Sequence, residues 1–234
     1  MLSTDPNILF QHQLSNDVLI AVNDAISAIE RGAETTPLCE LMTAFQSDKG
    51  SGKHNYTQLY WRLLAPYRRS AASVLEVGIG TNFTDVPSSM GLNGVPGASL
   101  RAWRAFFTKA NIYGADVDRR ILFSEDRITT HYIDQLNSAT IDDFFASVKE
   151  EDFDIIIDDG LHRFDANHNL FSTSQSRLSS SGLYLIEDIV GSVENVSLYC
   201  EMIVNSGMCG AVVRLPNALN VDDDNCVAIL CPDA

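Results

Sequence analysis

The 234-residue chain has no apolar run long enough to cross a bilayer, no CxxC pair among its five cysteines, and only 16 lysines and arginines against 31 aspartates and glutamates. Each shortage excludes something. The formal charge of −15 repels nucleic acid and anionic membrane surfaces, and the one local basic cluster is "YRR" at 67–69. A small neutral or cationic molecule is the expected partner. An odd number of unpaired cysteines (39, 200, 209, 226 and 231) reads as buried reduced thiols in a cytoplasmic protein. The opening "MLSTDPNILFQHQLSND" has neither a basic start nor a long apolar stretch, which speaks against a signal peptide.

What is present is an ordinary globular composition, 45% hydrophobic and 20% charged, at a length that suits one large α/β unit. "SNDVLIAVNDAISAIERG" (15–32) carries Val18, Val22, Ala25, Ile26 and Ile29 at helical spacing, with Ser15 or Asn16 as cap and Gly32 as stop. A second helix is predicted over 37–46, followed by a polar stretch, "SDKGSGKHNYTQLY" (47–60). From residue 73 short apolar runs alternate with amphipathic ones. Strands are predicted at 73–78, 112–116, 130–133, 153–158, 183–188, 210–215 and 226–231. Leu100, Trp103 and Phe107 share a helical face, and Ser138 is a suitable N-cap. The pattern predicts a seven-stranded, mostly parallel sheet covered on both faces, with an antiparallel final hairpin and added N-terminal helices. Residues 1–60 would form those helices and a lid; 61–234 would form the catalytic unit.

The first strand ends in "VLEVGIG", which places Glu76, Gly78 and Gly80 at the sheet edge where α/β proteins bind ligands. The third glycine of a dinucleotide fingerprint would fall at Phe83, so a pyrophosphate turn is disfavoured. An acid before the glycines suits a cationic amino-acid moiety. The second strand ends at Asp116, placed to accept from ribose hydroxyls, with Asp118 as a rival. The third ends at Asp134 and Gln135, within reach of an adenine edge. S-adenosylmethionine unites those three features without a phosphate.

The fourth strand, "FDIIIDDGLH", runs three isoleucines into Asp158, Asp159 and His162, and the fifth ends at Glu187 and Asp188. Four acids at one sheet edge repel unless a cation or protons offset them. Oxygen donors without paired His or Cys indicate a hard cation: Mg²⁺ first, Mn²⁺ or Ca²⁺ also possible. As a bland alternative, strand-end acids cap the next helix, and Asp158 suits that role.

The succession "VLEVGIG", "GASLRAWRAFF", "IYGADVD", "IDQL", "FDIIIDDGLH" and "LYLIEDI" resembles the class I S-adenosylmethionine-dependent methyltransferases. More narrowly it is similar to the metal-dependent sugar O-methyltransferases of macrolide biosynthesis, over roughly residues 47–190. The resemblance implies a Rossmann-like fold, methyl transfer to a hydroxyl of a sugar or polyhydroxylated natural product, Asp159, Glu187 and Asp188 as metal ligands, and His162 as general base. It also puts Asp158 beside the cofactor with Glu76, Gly78, Gly80, Asp116, Asp134 and Gln135. Two departures stand out: the extra N-terminal domain of the mycinamicin type is missing, and "TNFTDVPSSMGLNGVPGAS" lengthens the glycine loop.

His54, Tyr56 and Tyr60, with Lys49 and Lys53, are expected to form a lid over cofactor and acceptor. A solvated loop with partly buried tyrosines is the bland reading. His168 reads as a helix-surface residue and His131 as structural. A homo-oligomer is the expected assembly. Two other readings compete: a relative of the proteins called cephalosporin hydroxylases, which would need an iron site with two histidines, and a non-catalytic S-adenosylmethionine-binding module, which would need no base.

Overall fold

The structure, a computed structural model, describes residues 5–32, 35–50, 54–149, 152–216 and 224–233. Among these residues nine strands form one sheet in the order β1-β8-β9-β7-β6-β2-β3-β5-β4. They are β1 (Ile8–His12), β2 (Ser73–Val77), β3 (Asn111–Asp116), β4 (Ser124–Glu125), β5 (Ile128–Tyr132), β6 (Phe153–Asp158), β7 (Leu178–Ile189), β8 (Cys209–Arg214) and β9 (Cys226–Cys231). The expected seven are all there, and the final hairpin β8–β9 is antiparallel. The count rises to nine because β1 pairs antiparallel with β8 and the two-residue β4 with β5. The short polar β4 and the half-buried β1 carry no alternation strong enough to mark them.

Among the described residues seven α-helices flank the sheet: α1 (Asn16–Glu30), α2 (Pro37–Ala44), α3 (Tyr56–Leu64), α4 (Ala98–Phe106), α5 (Ser138–Ser147), α6 (Phe164–Ser174) and α7 (Val193–Ser206). Ser15 caps α1, its Oγ accepting from the Val18 N–H, and Gly32 follows at φ 64°. The cap of α5 is Asn137 rather than Ser138; its side chain accepts from Ala139. The tract 47–60 is only half a loop, since Tyr56 opens α3.

The isoleucine run now has its reason. Residues alternate across a strand, so Ile155 and Ile157 join the apolar cluster beneath α1–α4, together with Leu100, Trp103 and Phe107. Ile156 joins the cluster on the other face, beneath α5–α7. All three isoleucines are fully buried, each contributing about 1.5–3 kcal/mol relative to exposure. A strand covered on both faces must be apolar throughout.

The order of the parallel strands positions the site. From β2 the chain winds outward through β3 and β5, then returns to β6 on the other side of β2. The crevice at such a reversal, beyond the carboxyl ends of the strands, is where open α/β sheets bind ligands. Here it lies between Gly78, after β2, and Asp159, after β6.

Candidate active site

The two turns are locked together. The Asp159 N–H donates to Val77 O at 2.8 Å, and Gly78 has φ 90°. A Cβ on Gly78 would stand 1.9 Å from the Asp159 carbonyl oxygen. Glycine was expected here so that a ligand could approach; the close neighbour is the backbone of the turn after β6.

Asp158 does not face the crevice. It is fully buried, its Oδ1 accepting from Gln135 Nε2 at 2.7 Å and its Oδ2 from Asn167 Nδ2 at 2.9 Å. Tyr199 donates in turn to Asn167 Oδ1. Burial pushes this carboxyl up to about 6, against the pull of those two amides. The contacts make it an internal anchor rather than a cofactor ligand. Gln135 lines the crevice, yet its side-chain amide is spent on Asp158 and on the Leu161 N–H.

At the heart of the edge lies a lysine. Lys49 is 2% exposed, with Nζ 2.5 Å from Asp159 Oδ2, 2.6 Å from Glu187 Oε2 and 3.3 Å from Glu76 Oε1. Burial alone would lower its pKa, but the three carboxylates outweigh that and hold it well above the ordinary value. Glu76 also accepts from Trp103 Nε1 at 2.9 Å and has no exposed surface. It sits behind Lys49 and does not line the crevice, contrary to the expectation of direct cofactor contact. Neither Trp103 nor Lys49 is near Glu76 in sequence, so nothing local signalled the pairing.

Residues 49–60 supply further contacts. Tyr60 donates to Glu187 Oε1 at 2.8 Å, Tyr56 donates to Asp188, and His54 Nδ1 lies 3.3 Å from Asp188 Oδ1. His54 and Tyr56 line the crevice. Tyr60 does not; it is fully buried and supports Glu187 from below. The expected lid is thus largely a foundation, while Lys53 lies outside the described residues.

His162 is about one-third exposed, with Nε2 3.3 Å from Asp188 Oδ2 and 3.4 Å from Asp159 Oδ1. It meets neither in hydrogen-bonding line, so this buried nitrogen has no partner. Burial would lower its pKa; Asp159 and Asp188 raise it to about 9. Among the described residues, Asp159, His162 and Asp188 form the group able to hold a metal ion, with donor atoms within 4.8 Å of one another. The two carboxylates suit a small divalent cation, with the imidazole nitrogen beside them on the rim. Glu187, expected in this set, has both oxygens engaged by Lys49 and Tyr60. Backbone strain gathers here too: Asn55, His162 and Asp188 have φ of 62°, 54° and 53°.

Toward the other end, Gly78, Gly80, Asp116 and Asp134 line the crevice as expected. Asp116 accepts from the Ile79 and Asp118 N–H groups and keeps lone pairs free. Asp118, its rival, is turned away to Thr81 and Arg120, which hold it down near 2, the Arg120 bond acting most strongly. Val117 and Leu136 add exposed apolar surface to the crevice, and Met90 of the long glycine loop packs over Gly80. Sequence reasoning missed these three because apolar residues in loops carry no periodicity. His168 is exposed on α6 as expected, and His131 lies within β5. Cys39, Cys209 and Cys226 are buried thiols; Cys200 and Cys231 are only half-buried.

No family model matches the chain. Curated relatives do. The 8-demethyl-8-alpha-L-rhamnosyl tetracenomycin-C 2'-O-methyltransferase of Streptomyces olivaceus is 32% identical over 185 residues, 79% of this chain and 45% of that protein. The mycinamicin VI 2''-O-methyltransferase of Micromonospora griseorubida is 34% identical over 158 residues, 68% of this chain and 37% of that protein. Among solved structures, the mycinamycin-pathway methyltransferase MycE, in complex with Mg, SAH and mycinamycin VI, superposes with TM-score 0.62 at 23% identity. The match spans 94% of this chain and 63% of that one. The chain has the class I methyltransferase fold. Within that fold it resembles the sugar O-methyltransferases of polyketide and macrolide pathways. It spans less than half the length of these curated relatives.

Proposed function

We propose that the chain is an S-adenosylmethionine-dependent, divalent-cation-assisted O-methyltransferase acting on a hydroxyl of a glycosylated or polyhydroxylated small molecule in the cytoplasm. The observation that carries this reading is the convergence of Asp159, His162 and Asp188 within 4.8 Å at the switch-point crevice. The relatives' names, which specify sugar hydroxyls, and the Mg and SAH of the MycE complex support it.

When bound, the cofactor supplies the methyl group, and a divalent cation, Mg²⁺ first, lowers the pKa of neighbouring acceptor hydroxyls. Asp159 and Asp188 would hold the cation, and Glu187 would join them where Lys49 and Tyr60 leave it a lone pair. With a cation on Asp159 and Asp188 offsetting the charge that raises the imidazole, His162 Nε2, on the same rim, would accept the hydroxyl proton. Asp116 accepts from the cofactor ribose, with Asp134 and the apolar Val117 and Leu136 beside the base. Lys49 and Glu76 set the electrostatics of the amino-acid end. His54 and Tyr56 wall the acceptor side.

An oxygen-activating iron site fits less well, because the metal-holding group contains one imidazole, and His54 touches Asp188 from outside it. A pure binding module gives no reason for His162 to be held in strain beside two carboxylates. The test is methyl transfer from S-adenosylmethionine to glycosylated acceptors. Chelation should stop turnover, added Mg²⁺ should restore it, and Asp159→Ala should lose the metal response. Full activity in excess chelator would remove the cation from the mechanism.

A further inference from the structure

His162 sits at φ 54°, a strained backbone conformation for a non-glycine residue that persists only where its surroundings impose it. The turn that carries it is held at two separate points. At its start, Asp159 is tied to β2 through Val77 O. Its far half is tied by one side chain from another element. Gln135, 6% exposed in the loop after β5, accepts from the Leu161 N–H at 2.8 Å and donates to Asp158 Oδ1 at 2.7 Å. The amide orientation is unambiguous, since an N–H must meet an oxygen and a carboxylate must meet an N–H. The fit admits no side chain between them: a Cβ on Gly160 would lie 1.9 Å from Gln135 Oε1. The Gln135 carbonyl is itself fixed by Asn169 Nδ2 of α6 at 2.6 Å.

We propose that Gln135 is a positioning residue for His162: its side-chain amide clamps Leu161 to Asp158 and so fixes the imidazole against the cation-binding carboxylates. This rests on the reading of His162 as proton acceptor. Asp159, anchored independently, should be spared when the clamp is lost. The selectivity separates this role from contact with an adenine, which the place of Gln135 in the crevice wall would also suggest.

The test uses Gln135→Met, which keeps length and removes both hydrogen bonds. With S-adenosylhomocysteine bound, histidine ring signals of ¹³C-histidine protein should show the His162 resonances moved and broadened, with His12, His54, His131 and His168 unchanged. Affinity for S-adenosylhomocysteine, by calorimetry, and for Mn²⁺, by electron paramagnetic resonance, should change less than about threefold. With an L-rhamnoside as acceptor probe, kcat should fall about 10–100-fold at unchanged KM, misplacement by about an ångström being enough for that. In a His162→Ala background Gln135→Met should cost nothing more.

A reversed pair supplies a second arm if Gln135→Met does not fold. Gln135→Glu sets a carboxylate against Asp158 and should lose the His162 signature. Adding Asp158→Asn restores one amide and one carboxylate in reversed sense and should recover it. Unmoved His162 signals, a loss that adds fully to that of His162→Ala, failure of the reversed pair to recover, or a collapse of cofactor affinity would each overturn the proposal. Full activity of His162→Ala would instead remove the proton-acceptor reading on which it rests.

Discussion

Lys49 presents the sharpest energetic question at the residue scale. Its ammonium is shared among Asp159, Glu187 and Glu76, so removing it leaves three buried carboxylates without their counter-charge. Breaking one buried ion pair costs about 3–5 kcal/mol, mostly from the stranded charge. Lys49→Met should therefore lower the stability of the metal-free protein by at least that order in denaturant unfolding. A divalent cation can take over the neutralising role at the same carboxylates, so added Mg²⁺ should raise the unfolding midpoint of Lys49→Met more than that of the wild type. Equal shifts would mean that Lys49 and the cation do not share those ligands. Asp159 and His162 were legible in the sequence because a fully apolar strand has no use for polar residues at its end except at an edge. The partners of Glu76 were not, since Lys49 lies 27 residues before it and Trp103 27 after, and only the fold brings them together. Asp158 misled because a strand-end acid looks the same whether it faces the crevice or the two amides behind it.

Among the elements, strands buried on both faces were the easiest to read: β6 and β9 have the bounds that their apolar runs suggest. β1 and β4 were invisible because edge strands take their pairing from a partner and not from a pattern of their own. α3 was hidden for a related reason, its start lying inside a polar tract whose tyrosines are buried by contact with Asp188 and Glu187. The β2 and β6 turns behave as one unit through Gly78. At φ 90° with the Asp159 carbonyl 1.9 Å from where a Cβ would stand, Gly78→Ala must push the turns apart. It should lower stability by at least about 1–3 kcal/mol and weaken both S-adenosylhomocysteine and metal binding. Denaturant unfolding and calorimetry check this. Loss of cofactor binding with stability and metal affinity intact would return Gly78 to a role in ligand approach alone.

Across the molecule, the charge of −15 and the switch-point crevice point the same way. A polyanionic surface works against nucleic acid, and no helix among the described residues is long and apolar enough to cross a membrane. Fold class was legible because alternating strand and helix admit few arrangements. The crevice lining was less so, since it includes loop residues such as Met90 and His54, placed by tertiary contacts alone. The most direct test of the account is a calorimetric titration of the wild-type chain with S-adenosylhomocysteine in the presence of Mg²⁺. The account predicts saturable binding of one molecule per chain, with no binding of NAD under the same conditions. Absence of heat with S-adenosylhomocysteine, together with saturable NAD binding, would contradict it.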